Sequence, residues 1–343
     1  MRLTWSVSTL ELTQPFRISR GVMASRAAVT ITLVGADPTI VGRGEVVTSP
    51  YADLSLDRIE AQLAVIHGHC GDDGADLDPV LAEVHPAVAA AVWSAVAEHR
   101  ARAGGRSLAA HLGVPLPDTV PISRTVGIGT PRSMAVEAAR LAADGVRLLK
   151  VKTDADRTES ARRLAAVAAA APAAELIVDP NEAWTAASAL GVLADTQGLP
   201  VTALEQPLLA GDRDGTRELR SRTDIPLIAD EAVHTLTDLD RLDGLADVVN
   251  IKLPKCGGIY RAQEIAIAAG ERGLEVMLGC LVCSSLGIAP AVHLASLARW
   301  CDLDGHLLLA RDPWTGLGGE DGVLRPSGVA GLGVRRREED DPR

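Results

Sequence analysis

Aromatic residues are scarce in this chain: they make up 2% of its 343 residues, with one Phe, two Tyr and five Trp. Any large core must therefore be built from Ala, Val, Leu and Ile, and a hydrophobic content of 47% supplies enough of them. The five cysteines are an odd and scattered set, which argues against a secreted disulfide framework. No run of about 20 apolar residues is free of charge, so no transmembrane helix is expected. The opening MRLTWSVSTLELTQPF has neither the long apolar stretch nor the small-residue cleavage site of a signal peptide. Positive charge is in deficit too. A net charge of -11 argues against nucleic acid or an acidic membrane as partner, since both call for a basic face. Together these absences predict a soluble cytoplasmic protein. An anionic substrate stays open, because a bound metal ion can invert the local field.

What is present has two rhythms. TWSVSTLEL and AAVTITLVG alternate apolar and polar residues and read as strands. From about Ser55 to Gly113, Ala, Leu and Val recur at helical spacing, as in HPAVAAAVWSAVAEHRARAGG, which closes on glycines. Strands followed by helices predict an α+β domain over residues 1–117. From Val120 onward, short apolar runs alternate with Ala-rich helical stretches. The runs are ISRTVGI, RLLKVK, ELIVD, TALEQP, PLIAD, VVNIK, EVMLG and RWCDLD. Spacings of 27, 26, 25 and 22 residues separate Lys152, Asp179, Glu205, Asp230 and Lys252 in turn, about what a strand, a helix and two loops need. Eight such units over residues 118–305 predict an α/β fold, a TIM-like barrel of the (β/α)₈ type. A doubly wound open sheet is the alternative, but it usually has fewer strands, and no glycine fingerprint is present. The segment 306–343 ends in the mixed charge run RRREEDDPR, read as a solvated, frayed tail.

The ionisable residues fall at one place in successive units, the last position or two of the strand. These are Lys150, Lys152, Asp179, Glu205, Asp230 and Lys252. Barrel active sites gather at the C-terminal ends of the strands, and such side chains are costly to bury unless paired or bound to metal. One alone would read as a strand cap or a rim salt bridge; six at one phase read as a site. Three carboxylates from adjacent strands suit a hard cation such as Mg²⁺, with zinc disfavoured because no His or Cys falls in phase with them. Lys152 and Lys252, on nearly opposite strands, suit removal of a proton from one face of a carbon and its return to the other. Each must be neutral when it acts as a base. Lys150, two residues from Lys152, and the metal charge are expected to lower their pKa values.

The series LLKVK, LIVDPNEAW, ALEQP, LIADEAVHT, VVNIKLPKCGG resembles the muconate-lactonising subgroup of the enolase superfamily. The resemblance covers nearly the whole chain. It implies a (β/α)₇β barrel closed by a capping domain built from residues 1–117 and the returning segment 306–343. It implies one Mg²⁺ per subunit, with Mn²⁺ as a substitute, held by Asp179, Glu205 and Asp230. Lys152 and Lys252 would be the acid/base pair and Lys150 their electrostatic neighbour, since lysine bases with Mg²⁺ are known chemistry of this superfamily. Asn181 would orient the metal shell, and Glu231 would pair with a nearby lysine. A homo-oligomer is expected.

Fold does not choose among the subgroup's reactions. CDLDG resembles the Asp-x-Asp motif of dipeptide epimerases, where Asp302 and Asp304 would hold the substrate's free α-ammonium. PFRISRG resembles the capping loop of Ala-Glu epimerases, where Arg20 would grip the distal carboxylate. Thr125 would lie near the substrate. The implied activity is a Mg²⁺-dependent epimerase of dipeptides, L-Ala-D/L-Glu first among them. An N-acylamino acid racemase or a muconate-type cycloisomerase is the alternative. Many subgroup members carry a glutamate after the seventh strand. Here GCLVCSSLG puts Cys283 there, an arrangement similar to that of some dipeptide epimerases. Cys280 and Cys283 form a C-x-x-C without a second pair, a weak zinc or redox signal. His234 and His293 are read as structural.

Overall fold

The computed structural model describes residues 1–69 and 77–338. Cys70 and the end of the charged tail lie outside the described residues. The chain opens with a three-stranded antiparallel sheet, β1 (Arg2–Ile18), β2 (Gly21–Val34) and β3 (Val41–Val47). The third strand, GRGEVV at its heart, was not anticipated: its glycines and charges mask the alternation. Those glycines have a packing reason. A Cβ on Gly42 or Gly44 would lie 1.9 Å from the carbonyl of Ala95 or Ala91. Only glycine lets the Ala-rich helix over this sheet come so close. That helix is α2 (Pro86–Ala103), following α1 (Leu56–His69). α2 starts with Pro at its first turn, is capped by His85, which accepts from Ala87 N, and ends at Gly104.

Eight parallel strands follow in sequence order: β4 (Arg124–Val126), β5 (Leu148–Lys152), β6 (Glu175–Asp179), β7 (Val201–Glu205), β8 (Leu227–Ala229), β9 (Val248–Lys252), β10 (Glu275–Gly279) and β11 (Trp300–Asp302). Ser123 closes the ring. Its N–H donates to Cys301 O and its hydroxyl to Asp302, both at 2.8 Å. The crossovers carry α3 (Pro131–Ala143), α4 (Arg157–Ala170), α5 (Ala186–Asp195), α6 (Arg213–Arg220), α7 (Ile259–Glu271) and α8 (Ser285–Val292). The expected Ala-rich helices fail at two connections: α6, RDGTRELR, has no alanine, and the connection from β8 to β9 has no α-helix. The latter holds only the 3₁₀ turn Leu236–Arg241, because its LTDLDR is acidic and short. This is the architecture of a (β/α)₇β barrel.

The eight strands are buried on both faces, hence their Val, Ile and Leu content. Inside the barrel, Leu148, Ile177, Ala203, Ile228, Val248, Met277 and Trp300 form an apolar layer. The chain beyond Asp304 runs back to the N-terminal part: Ala310 N donates to Glu11 O, and Leu108 N to Gly331 O. Among the described residues no helix is long and apolar enough to cross a membrane.

Candidate active site

Strand side chains alternate, so residues two positions beyond the apolar layer also point into the barrel. Those residues are Lys150, Asp179, Glu205, Asp230, Asn250, Gly279 and Asp302. One layer thus changes from apolar to charged at the C-terminal mouth, and Lys152 and Lys252 stand one step further out.

Every charge in this layer is paired. The Lys150 ammonium, 1% exposed, donates to Glu205 Oε1 at 2.8 Å and Asp302 Oδ2 at 2.7 Å, with Asp179 Oδ2 at 3.1 Å. Lys152 donates to Asp179 Oδ2 at 2.5 Å and to Asn181 Oδ1 at 3.2 Å. Lys252 donates to Asp230 Oδ2 at 2.6 Å, and Lys255 to Asp230 Oδ1 at 2.7 Å. Asn181 N–H donates to Asp179 Oδ1 at 2.9 Å. Asn181, Glu182 and Gln206 have positive φ values of 47°, 66° and 34°. Left-handed backbone at non-glycine residues is costly, and it clusters here at the loops after β6 and β7.

The pKa directions correct one expectation. Lys252 is raised, not lowered, and Lys150, expected only to act on its neighbours, is raised as well. Burial pulls both down, but the carboxylates of Asp302 and Glu205 around Lys150, and of Asp230 beside Lys252, outweigh it. Lys150 does act on Lys252 in the expected downward direction. Burial alone would raise Asp179, but Lys152 and Lys150 hold it down at about 2. Glu205, buried and beside Asp179, is pushed up to about 8, more than Lys150 can offset.

Three adjacent acids, all oxygen donors, fit Mg²⁺ or a similar hard cation. Glu205 Oε2 is buried without a hydrogen-bond partner among the described residues, although Lys150 Nζ lies 2.7 Å away in ion-pair contact. Each acid is turned toward its own lysine, and no three such side chains among the described residues converge at metal-ligand spacing.

Asp302 and Asp304 are both buried on the side of the mouth next to β4. Besides Lys150, Asp302 takes the hydroxyl of Ser123. Asp304 accepts from Thr125 N–H at 2.6 Å and from its hydroxyl at 3.3 Å, with Arg124 Nε at 3.8 Å. Burial and the neighbouring Asp302 push Asp304 up.

The β1–β2 hairpin reaches over the mouth. Arg20, at its tip, donates to Glu182 and Glu231, each at 2.6 Å, and Ser19 donates to Asn181 O. Glu231 therefore pairs with Arg20 rather than with a lysine, because the hairpin delivers a guanidinium to it. A cleft of about 1220 Å³ lies to the side, with Phe16, Arg17, Thr125 and His306 in its wall. It contains none of the three lysines but adjoins the site at Thr125, which is bonded to Asp304. The charged layer, not this cleft, holds the convergent groups.

Residues 133–340 match the family described as Enolase C-terminal domain-like. Over 303 residues the chain is 38% identical to the L-Ala-D/L-Glu epimerase of Escherichia coli (strain K12), which covers 87% of this chain and 91% of that protein. This chain belongs to the enolase superfamily. Over 204 residues it is also 41% identical to the N-acetyl-D-glutamate racemase of Pseudoalteromonas sp, covering 60% of this chain and 63% of that one. A solved dipeptide epimerase from Methylococcus capsulatus, complexed with Mg and the dipeptide L-Arg-D-Lys, superposes with a TM-score of 0.87. The two are 31% identical, and the match covers 97% of this chain and 98% of that chain.

Several site residues of this enolase-superfamily chain escaped the sequence reading. Asn250 donates to Glu205 Oε1 at 2.9 Å, and it lies two residues before Lys252, so strand parity could have found it. Gly279 is required there, since a Cβ would lie 2.3 Å from Asn250 Oδ1 and 2.8 Å from Lys252 Cε. Lys255 belongs to the short helical turn after β9, where strand parity gives no signal. Cys280 and Cys283 are free thiols, both pushed up by burial. His293 is pulled down to about 4 by burial and takes the N–H of Ala109, while its other nitrogen faces Leu332 O. His234 lies outside the charged layer, against Glu231 O.

Proposed function

We propose that this chain is a Mg²⁺-dependent dipeptide epimerase, with L-Ala-D/L-Glu as its best substrate. One observation carries the reading. Lys152 and Lys252 end β5 and β9, four strands apart in an eight-stranded ring, so they face each other across the barrel with the acids between them. A carbon held between two such lysines has one on each face. The barrel of residues 118–305 supplies them, and residues 1–117 with 306–343 form the cap.

The substrate is a dipeptide whose α-carbon, next to its carboxylate, lies between the lysines. One lysine, as the neutral amine, takes the α-proton, and the electron pair moves into the carboxylate as an enediolate. The other lysine, as the ammonium, returns a proton to the opposite face, and the configuration inverts. Asp179, Glu205 and Asp230 would hold one Mg²⁺, which supplies a Lewis acid for the charge on the substrate carboxylate. Lys150, locked between Glu205 and Asp302, keeps a fixed positive charge under the site, a preorganised group that needs no rearrangement when charge develops. Asp302 and Asp304 receive the free α-ammonium, and Thr125 holds Asp304 in place. The hairpin of Arg20 keeps water away from the lysines.

A second reading, racemisation of an N-acylated amino acid, is favoured by the likeness to the Pseudoalteromonas racemase. The substrate's amine separates the two. Ala-Glu and N-acetyl-glutamate are each incubated in D₂O and followed by loss of the α-proton NMR signal. Exchange of Ala-Glu, with little or none of N-acetyl-glutamate, is expected. Faster exchange of N-acetyl-glutamate would replace the epimerase with the racemase.

A further inference from the structure

The sequence points to Arg20 as the cation that reads an acidic side chain, yet in the structure two carboxylates already neutralise it. A second arginine on the same hairpin has no such partner. Arg26 is 6% exposed, its Nη1 is buried without a hydrogen bond, and its side chain makes no ion pair among the described residues. An unpaired guanidinium is a costly group to bury.

Strand register shows where Arg26 points. Arg26 pairs with Leu10, Ala28 with Val47, and Thr30 with Glu45. Cross-strand partners share a face, as do residues two apart, so Arg26, Ala28, Leu10, Val47 and Glu45 lie on one side of the sheet. That side faces the barrel. Glu45 accepts from Ser284 N–H at 2.8 Å and from its hydroxyl at 2.5 Å. Leu10, Ala28 and Val47 share one apolar cluster with Cys283, Leu286 and Leu303. The sheet therefore crosses the mouth, anchored after β10 by Glu45 of β3 on Ser284 and over the β6 and β8 loops by Arg20 at the hairpin tip. Arg26 lies between the two anchors, on the inward face. Beyond its own burial, the groups that bear on Arg26 are Cys283, Tyr51 and Cys280, and burial pushes both thiols up, so neither supplies a counter-charge. The guanidinium thus faces the segment just after β10, where Cys280 and Cys283 lie.

We propose that Arg26, not Arg20, reads a side-chain carboxylate of the dipeptide, so that its missing partner arrives with the substrate. Guanidinium and carboxylate match as a bidentate pair, which makes an acidic dipeptide the substrate class. Arg20 is instead the latch that holds the hairpin on Glu182 and Glu231. The inference rests on the epimerase reading above.

The test compares kcat/KM for Ala-Glu and Ala-Gln, which have the same shape but differ in charge. They are measured by α-proton exchange with wild type, Arg26→Met, Arg26→Lys and Arg20→Met. Wild type should prefer Ala-Glu. Arg26→Met should lower the Glu/Gln ratio by roughly 10- to 150-fold, the worth of one charged hydrogen bond. Arg26→Lys should keep part of the preference, and this variant decides the matter if Arg26→Met does not fold. Arg20→Met should lower both substrates alike and leave their ratio as in wild type. An unchanged ratio in folded Arg26→Met, or in Arg26→Lys a ratio as high as wild type, overturns the proposal. So does loss of the ratio in Arg20→Met. Failure of wild type to exchange the α-proton of any dipeptide would sink the epimerase reading itself.

Discussion

Lys252 can take a proton only after its ammonium has given one up, and Asp230 at 2.6 Å opposes that loss. Lys152 is hydrogen-bonded to Asp179 and Asn181. The two lysines are thus bonded to acids proposed to hold the cation. Because they stand on opposite faces, each should serve one stereoisomer. Lys252→Ala should lose epimerisation by at least 100-fold, in keeping with the roughly 10²–10⁴-fold worth of a general acid/base. It should still exchange the α-proton of the one isomer that Lys152 faces. NMR in D₂O with each isomer of Ala-Glu reads this directly, and wild-type epimerisation by Lys252→Ala would reduce Lys252 to a structural role. Six charged members of this site were legible in the sequence because buried charge is costly, so six at one phase demanded a reason, whereas Lys255 on the turn after β9 was not. Asn250, though in phase with Lys252, and Arg26 drew no notice. A neutral amide in VVNIK raises no such demand, and an arginine on an alternating strand passes for a solvent-facing residue until the sheet is docked on the barrel.

At the scale of elements, the cap sheet and the barrel are joined at the start of α8. Glu45 of β3 and Asp312 of the returning segment both accept from its first residues: Ser284 serves Glu45, and Ser285 serves Asp312 at 2.5 Å through its hydroxyl. Negative charge suits a helix N-terminus, but the Glu45 carboxyl is enclosed. Gly287 packs so close that a Cβ there would lie 3.0 Å from Glu45 Oε1. Burial pushes Glu45 up to about 7 from an ordinary 4.5, against the pull of the Ser284 donors. Between these values the folded state keeps a proton that the unfolded chain has lost. The stabilisation is therefore full below pH 4.5 and fades as pH rises through 7. The residue as a whole is partly exposed, which limits the effect to on the order of 2 kcal/mol. Urea unfolding at pH 5 and pH 8 should show wild type losing more stability than Glu45→Gln across that interval. Equal losses in the two proteins would mean that Glu45 does not titrate there. The barrel strands were readable from their apolar runs and regular spacing. β3 was not, because Gly42 and Gly44 serve a helix that approaches from another part of the chain. The 3₁₀ turn after β8 departed from the rhythm because its residues are acidic and few.

For the whole molecule, the account joins a barrel whose mouth carries acids and lysines to a cap whose hairpin closes over them. Membership in the enolase superfamily fits that architecture, and the task proposed for the charged layer is proton transfer at one carbon. The barrel could be read from its own sequence, whereas the way the cap sits on it depends on long-range contacts such as Arg20 with Glu182 and Glu231. The central claim is that this layer moves the α-proton of a dipeptide with the help of a divalent ion. The most direct measurement follows the α-proton NMR signal of L-Ala-L-Glu in D₂O with the purified protein, after chelation and again after Mg²⁺ is restored. The account predicts loss of the α-proton signal and appearance of the L-Ala-D-Glu diastereomer with Mg²⁺, and neither after chelation. Exchange at full rate in the chelated protein, or no exchange with Mg²⁺ present, would contradict it.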